Sequence, residues 1–298
     1  MQGQVTSYAG VQLERYASWT SHPPEEGAVQ QILFNEFGVA TLASRSVHFM
    51  KRGGWPLWHT AHPDMKDLKC MVFIDKEAFL LAAGNQSKML KIRSNDGGVI
   101  EELQSTSNYA MFKAAGRYIC AATSTGTVDF LDLNTLQVVK TWQAHTASIS
   151  DMEVSGSSLV TCGRALKEYA PAMLDNLAKV YDLKGMQQMA PIPFPTGAAY
   201  VQIHPKLTTT IILAAPSGQI QVIDLINHNT SHLTYAGVAI LHIIMSSSGN
   251  IWAIADEHNQ LHLWGDLNKA LNFNDHVVLP EYADNVEHQP FIGIDDDV

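Results

Sequence analysis

One short pattern returns seven times along this chain, and it limits the fold more than any other feature. It reads GQVTSYA ending at Ala9, RSVHFMK at Lys51, KMLKIRS at Ser94, GTVDFLD at Asp132, NLAKVYD at Asp182, GQIQVID at Asp224 and NQLHLWG at Gly265. Successive copies lie 42, 43, 38, 50, 42 and 41 residues apart. Side chains alternate between the two faces of a strand, so the third and fifth positions share a face. Those pairs are Val5/Ser7, Val47/Phe49, Leu90/Ile92, Val128/Phe130, Ala178/Val180, Ile220/Val222 and Leu261/Leu263, and thirteen of the fourteen residues are apolar. Each copy therefore reads as a strand with one face buried.

A second apolar run precedes most copies: FGVATLAS, AFLLAAG, RYICAAT, SLVTCG, TIILAAP and NIWAIAD. Each leads into a turn containing Gly, Asn or Ser, which suits a hairpin into the repeated strand. Further strand-like segments such as TLQVVKTW follow several copies. A period near 40–45 residues with four strands per unit is the pattern of a WD-repeat β-propeller. One blade cannot bury both its faces, so neighbours must stack. The helical alternative would need apolar residues at i, i+3 and i+4, and that spacing is missing. The expected fold is all-β, a seven-bladed WD-repeat β-propeller over residues 1–280, followed by an acidic tail over 281–298. GQVTSYA would be a third strand and VQLERYASW a fourth. Only Met1 and Gln2 precede them, so the first blade is expected to lack its inner two strands. NFNDHVVLP, after the last copy, can serve as an outer strand.

Composition excludes several function classes. The longest apolar run, VAILHIIM, is far shorter than the roughly 20 residues a spanning helix needs. The N-terminus has no basic-then-apolar signal layout. Cys70, Cys120 and Cys162 are far apart and form no CxxC pair, so they read as buried, reduced thiols in a cytosolic or nuclear protein. The chain carries a net charge of −10. From residue 270 onward there are seven acids and no Lys or Arg, while residues 51–93 hold eight Lys/Arg against four acids. That basic stretch reads first as a solvated face and second as a groove for nucleic acid, a minority reading because the chain as a whole is a poor polyanion binder.

The segment from QAHTASISD to AKVYD holds the polar residues of a blade-stiffening network: His145, Asp151, Thr161 and Tyr181. The same residue types could build a nucleophilic triad, but repeat position explains them as structure. The 50-residue spacing reflects an insertion, RALKEYAPAMLDNL, at 164–177. A second long connection, RGGWPLWHTAHPDMKD, occupies 52–67. Its tryptophans, Trp55 and Trp58, are either anchors for a partner or packing over a blade edge. A partner surface is read around Trp55, Trp58, His59 and Lys66 and around Arg164, Lys167 and Tyr169. Removing 52–67 is expected to weaken assembly without unfolding the domain. His59 and His62 have metal-like spacing, but no further ligand lies nearby in sequence. Neither a catalytic, a cofactor nor a metal site is read from this chain.

Several stretches resemble one family: LERYASW, GGWPLWHTAHPDMKDLKCM, RYICAATSTGTVDFLD, KTWQAHTASISDMEV, PIPFPTGAAYVQIHPKLTTT with SGQIQVID, and ADEHNQLHLWGD. They are similar to the N-terminal WD-repeat domain of the catalytic subunit of the poly(A)-nuclease deadenylation complex, most of all in filamentous fungi. The connections GGWPLWHTAHPDMKD and PIPFPTGAAYVQIHPKLTTT carry most of that resemblance, because blade-core sequence is common to all WD repeats. The resemblance implies a non-catalytic scaffold that helps dock a pseudokinase-like regulatory subunit and orient the nuclease on poly(A) coated with poly(A)-binding protein. It also implies a cytoplasmic location, with P-bodies possible, and divalent metal ions only in an exonuclease domain outside this chain. The alternatives are a stand-alone WD-repeat adaptor of another pathway, a direct RNA binder using the 51–93 region, and an enzyme working at a central channel.

Overall fold

The computed structural model describes residues 3–9, 14–51, 53–63, 65–167, 170–226 and 230–265. Nearly every regular element is a strand. The only helical turn among the described residues is a 3-10 turn at Pro24–Glu26. None is a helix long and apolar enough to cross a membrane.

The first copy of the repeat is β1 (Gln4–Ala9), which pairs antiparallel with β2 (Glu14–Thr20) in a two-stranded sheet. Six larger sheets follow in chain order. The first holds β3 (Gln31–Phe34), β4 (Val39–Leu42), β5 (Val47–Met50) and β6 (Pro56–Thr60), and the second β7 (Leu68–Ile74), β8 (Phe79–Gly84), β9 (Lys88–Arg93) and β10 (Val99–Gln104). The third is β11 (Tyr109–Ala115), β12 (Tyr118–Thr123), β13 (Thr127–Asp132) and β14 (Val138–Gln143). The fourth contains β15 (Ile149–Ser155), β16 (Ser158–Lys167), β17 (Ala170–Leu174), β18 (Leu177–Asp182), β19 (Gln187–Gln188) and β20 (Ile192–Pro193). The fifth is β21 (Tyr200–Ile203), β22 (Thr210–Ala214), β23 (Gln219–Asp224) and β24 (Thr230–Tyr235), and the sixth β25 (Ile240–Met245), β26 (Ile251–Asp256) and β27 (Leu261–Gly265). All seven copies of the repeat fall on strands: β1, β5, β9, β13, β18, β23 and β27.

The described residues thus form a six-bladed propeller with a two-stranded sheet ahead of it, where the sequence suggested seven blades. The expected outer strand NFNDHVVLP, the boundary at 280 and the acidic tail at 281–298 lie outside the described residues.

Five apolar cores join the six blades, each built from two consecutive sheets. Strand β8 shows why its sequence is continuously apolar: Leu80 and Ala82 face one core, Leu81 and Ala83 the next. Covering both faces removes the usual apolar–polar alternation. Cys70 belongs to the second core, Cys120 to the third and Cys162 to the fourth in chain order, and all three are free and buried. Burial pushes the Cys120 thiol up to about 12, and holds the other two above their ordinary range as well. None is a poised nucleophile.

Polar staples reinforce the same junctions at the innermost strands. The Gln31 side-chain oxygen accepts the Met71 N–H at 2.7 Å, Asp151 accepts the Val201 N–H at 2.9 Å, and Gln202 accepts the Met245 N–H at 3.4 Å. Lys113 on β11 pairs with Glu153 on β15 at 2.7 Å. Each staple runs from one blade's innermost strand to the next.

Candidate interaction surface

The segment 52–67 is not a plain connection, because residues 56–60 form the outer strand β6. Its register against β5 places Phe49 opposite Trp58 and His48 opposite His59. Period-two alternation then turns Trp58 inward and Leu57 and His59 outward. Trp58 is buried, stacks on Phe49 with centroids 5.5 Å apart, and donates Nε1–H to the Ser94 carbonyl at 2.7 Å. It therefore packs one blade against the turn of the next and cannot serve as an anchor for a partner. Trp55 is 69% exposed. Deleting 52–67 would remove a paired strand and its buried indole, so the expectation that this deletion weakens assembly without unfolding the domain is corrected in its second part.

Leu57 and Phe37, both exposed, line a cavity of about 550 Å³ together with Phe49, Phe79, Lys76 and Arg93. Lys66 is exposed but lines a separate cavity of about 600 Å³ with Glu25, Glu26, Arg45 and His62. His59 faces Glu26, with Nε2 3.0 Å from Oε2. The two tryptophans, His59 and Lys66 therefore do not form one patch. The basic excess of 51–93 is partly neutralised in place. Lys91 lies 3.3 Å from Asp75, Lys88 3.7 Å from Glu102, and Arg93 2.7 Å from Asp96.

The insertion at 164–177 extends β16 into a hairpin with β17, pairing Arg164 with Leu174. Arg164 is exposed, as are Leu166 and Met173. Lys167 lies in β16, and nothing is described of its side chain; Tyr169 lies outside the described residues. The hairpin also supplies a residue that sequence reasoning missed. Buried His145 sits between Thr161 Oγ1, 3.1 Å from its Nε2, and Asp175 Oδ2, 3.0 Å from its Nδ1. Gly163 makes the arrangement possible, since a Cβ there would come within 2.5 Å of the His145 ring.

Asp151 and Tyr181 do not join this set. Asp151 is the inter-blade staple, and Tyr181 stacks on Trp142 with centroids 4.5 Å apart, its hydroxyl unpartnered among the described residues. In place of the expected four-residue network the blade holds three linked residues, His145, Thr161 and Asp175. Replacing Asp175 with alanine should cost about 1–3 kcal/mol, because a buried ring nitrogen loses its acceptor. Asp175→Asn should recover part of that loss in urea unfolding. An Asp175→Ala midpoint equal to wild type would refute the assignment.

Six consecutive antiparallel sheets, most of them four-stranded, with shared cores between them and a His–Thr–Asp link inside a blade, define a WD-repeat propeller domain. The chain belongs to the PAN2 N-terminal family, whose sequence profile matches residues 1–265. It is 45% identical over 289 residues to the PAN2-PAN3 deadenylation complex catalytic subunit pan2 of Aspergillus clavatus, covering 97% of this chain and 25% of that protein. The same subunit of Phaeosphaeria nodorum is 42% identical over 295 residues, covering 95% of this chain and 26% of that protein. The solved Neurospora crassa Pan2 WD40 domain superposes with a TM-score of 0.82 at 40% identity, over 89% of this chain and 83% of that one. The chain spans about a quarter of the length of these curated relatives.

Proposed function

We propose that this chain is a non-catalytic interaction scaffold of a poly(A)-specific 3′–5′ exoribonuclease complex, serving to shorten mRNA tails in the cytoplasm. In this role it helps dock the regulatory subunit, a pseudokinase-like protein, and orients the nuclease on poly(A) carrying poly(A)-binding protein. Family membership supports this pathway, since the relatives are subunits of a PAN2-PAN3 deadenylation complex. The observation that carries the docking role is the start of β6, where Leu57 and Trp55, the residue just before the strand, are exposed beside an aromatic-walled cavity. Large apolar side chains left exposed on a rigid strand are the usual anchors of protein interfaces. The β1–β2 sheet fits the same scheme as the third and fourth strands of a seventh blade, because GQVTSYA shares the repeat.

The test is a Trp55→Ala/Leu57→Ser double variant, co-purified with the regulatory subunit. Recovery should fall about tenfold or more, the loss of one hot-spot interaction, with unfolding unchanged. Recovery equal to wild type would sink the β6 face as the docking surface.

A further inference from the structure

We propose that His22, Glu26 and His59 form a binding site for a divalent transition ion of the zinc class. Their ligand atoms all lie within 4.8 Å of one another, and among the described residues no other group of three His, Cys, Asp or Glu does so. Glu26 Oε2 is central, 3.3 Å from His22 Nδ1 and 3.0 Å from His59 Nε2. A tetrahedral zinc with bonds of 2.0–2.1 Å holds its ligand atoms about 3.3–3.4 Å apart. The two measured separations are close to that edge length, and His59 is the most exposed of the three and so the freest to adjust.

The surroundings orient each ligand. His22 has no exposed side-chain surface, and its Nε2 lies 2.9 Å from Thr41 Oγ1. The Thr41 hydroxyl also lies 3.4 Å from the His48 carbonyl. Ser46 Oγ, which donates to Glu26, lies 2.7 Å from His22 Nδ1 and accepts its proton in the ion-free chain. An ion taking Nδ1 would release that proton to water, while Thr41 accepts Nε2–H and passes its own proton on. A metal-bound histidine is typically held in this way through its second nitrogen. Glu26 is fixed at both ends, its carbonyl accepting from Ser44 Oγ at 2.9 Å and its carboxylate accepting from Ser46 Oγ. His48 donates Nδ1–H to the Ser21 carbonyl at 2.6 Å, and its ring centroid lies 5.4 Å from that of His59.

Glu26 also lines the 600 Å³ cavity, which gives an ion a path from solvent. The bound ion would tie the outer strand β6 to the segment leading from β2 into the first four-stranded blade. This assignment departs from the sequence reading, which noted the metal-like spacing of His59 and His62 but read no metal site; the His62 imidazole faces Glu102 at 3.6 Å.

The chain, stripped with EDTA, is titrated with Zn²⁺ and separately with Co²⁺, whose visible absorption reports tetrahedral geometry. We expect one ion per chain, a tetrahedral Co²⁺ spectrum and a rise in Tm on adding Zn²⁺. His59→Ala and Glu26→Gln should each weaken binding by more than about tenfold, while His62→Ala leaves it unchanged. His59→Ala alters a part-exposed side chain, so folding is not at stake, and circular dichroism confirms it. Absence of binding at micromolar Zn²⁺, or equal binding by wild type and His59→Ala, would overturn the site.

Discussion

Replacing Trp58 with alanine will lower the unfolding free energy by about 3–5 kcal/mol, whereas Trp55→Ala will change it by about 0.5 kcal/mol or less. The two residues are three apart in one short segment, and only their surroundings separate them. Trp58 is enclosed by Phe49 on one side and by the turn at residues 94–97 of the next blade on the other. Gly97, at a φ of +73°, lies so close that a Cβ would come within 2.5 Å of the Trp58 ring. The alanine variant leaves a void against a turn that cannot collapse into it, and it strands the Ser94 carbonyl. Trp58→Phe should recover the stacking but not the hydrogen bond, and so fall between the two. The readout is the urea midpoint at constant slope, which isolates stability from changes in the unfolded chain. Equal midpoints for Trp55→Ala and Trp58→Ala would refute this picture of the junction.

That pair also shows which parts of the molecule the sequence makes legible. The repeated strand is legible because its signal is local: two apolar residues, two apart, returning every forty-odd positions. Whether Trp58 points in or out depends on the register of β6 against β5, anchored where the Lys51 N–H meets the Trp55 carbonyl, and pattern alone does not align it. The carboxylate beside His145 illustrates a second limit. Repeat position favoured Asp151, which lies in the strand after the histidine, but Asp175 sits in the insertion, where no repeat template applies. The staples Gln31 and Gln202 were invisible for another reason, since a polar residue on an inner strand looks the same whether it meets water or the next blade. His22, Glu26 and His59 span 37 positions and meet only because β-pairing folds the chain back on itself. A search by short ligand spacing finds His59 with His62, and His22 with Glu26, but not the meeting of His59 with the second pair. The surface is thus less legible than the core, because burial repeats and contacts across blades do not.

Stability should respond to pH through two groups of opposite sign, buried His145 and half-buried Asp151, which single substitutions can separate. Burial lowers the His145 pKa below its ordinary 6.5 despite the pull of Asp175, so below pH 6.5 the unfolded chain binds a proton that the folded one refuses. That group makes stability rise with pH up to 6.5 and fall as acid is added. Burial raises Asp151 from 3.8 to about 7, although the Val201 N–H, Lys113 and the Met152 N–H favour its anion. Between those values the folded state holds the extra proton, so Asp151 makes stability fall as pH rises toward 7. A full proton difference is worth about 1.4 kcal/mol per pH unit. Asp151→Asn should therefore make the rise in stability from pH 5 to 6.5 steeper than in wild type. His145→Gln should flatten that rise or reverse it. The other titrating groups are common to the three proteins and cancel to first order in the comparison of slopes. Urea midpoints measured at half-unit steps from pH 5 to 7.5 give the three curves. Parallel curves would mean that neither group changes its protonation on unfolding, and the environments assigned to His145 and Asp151 would then be wrong.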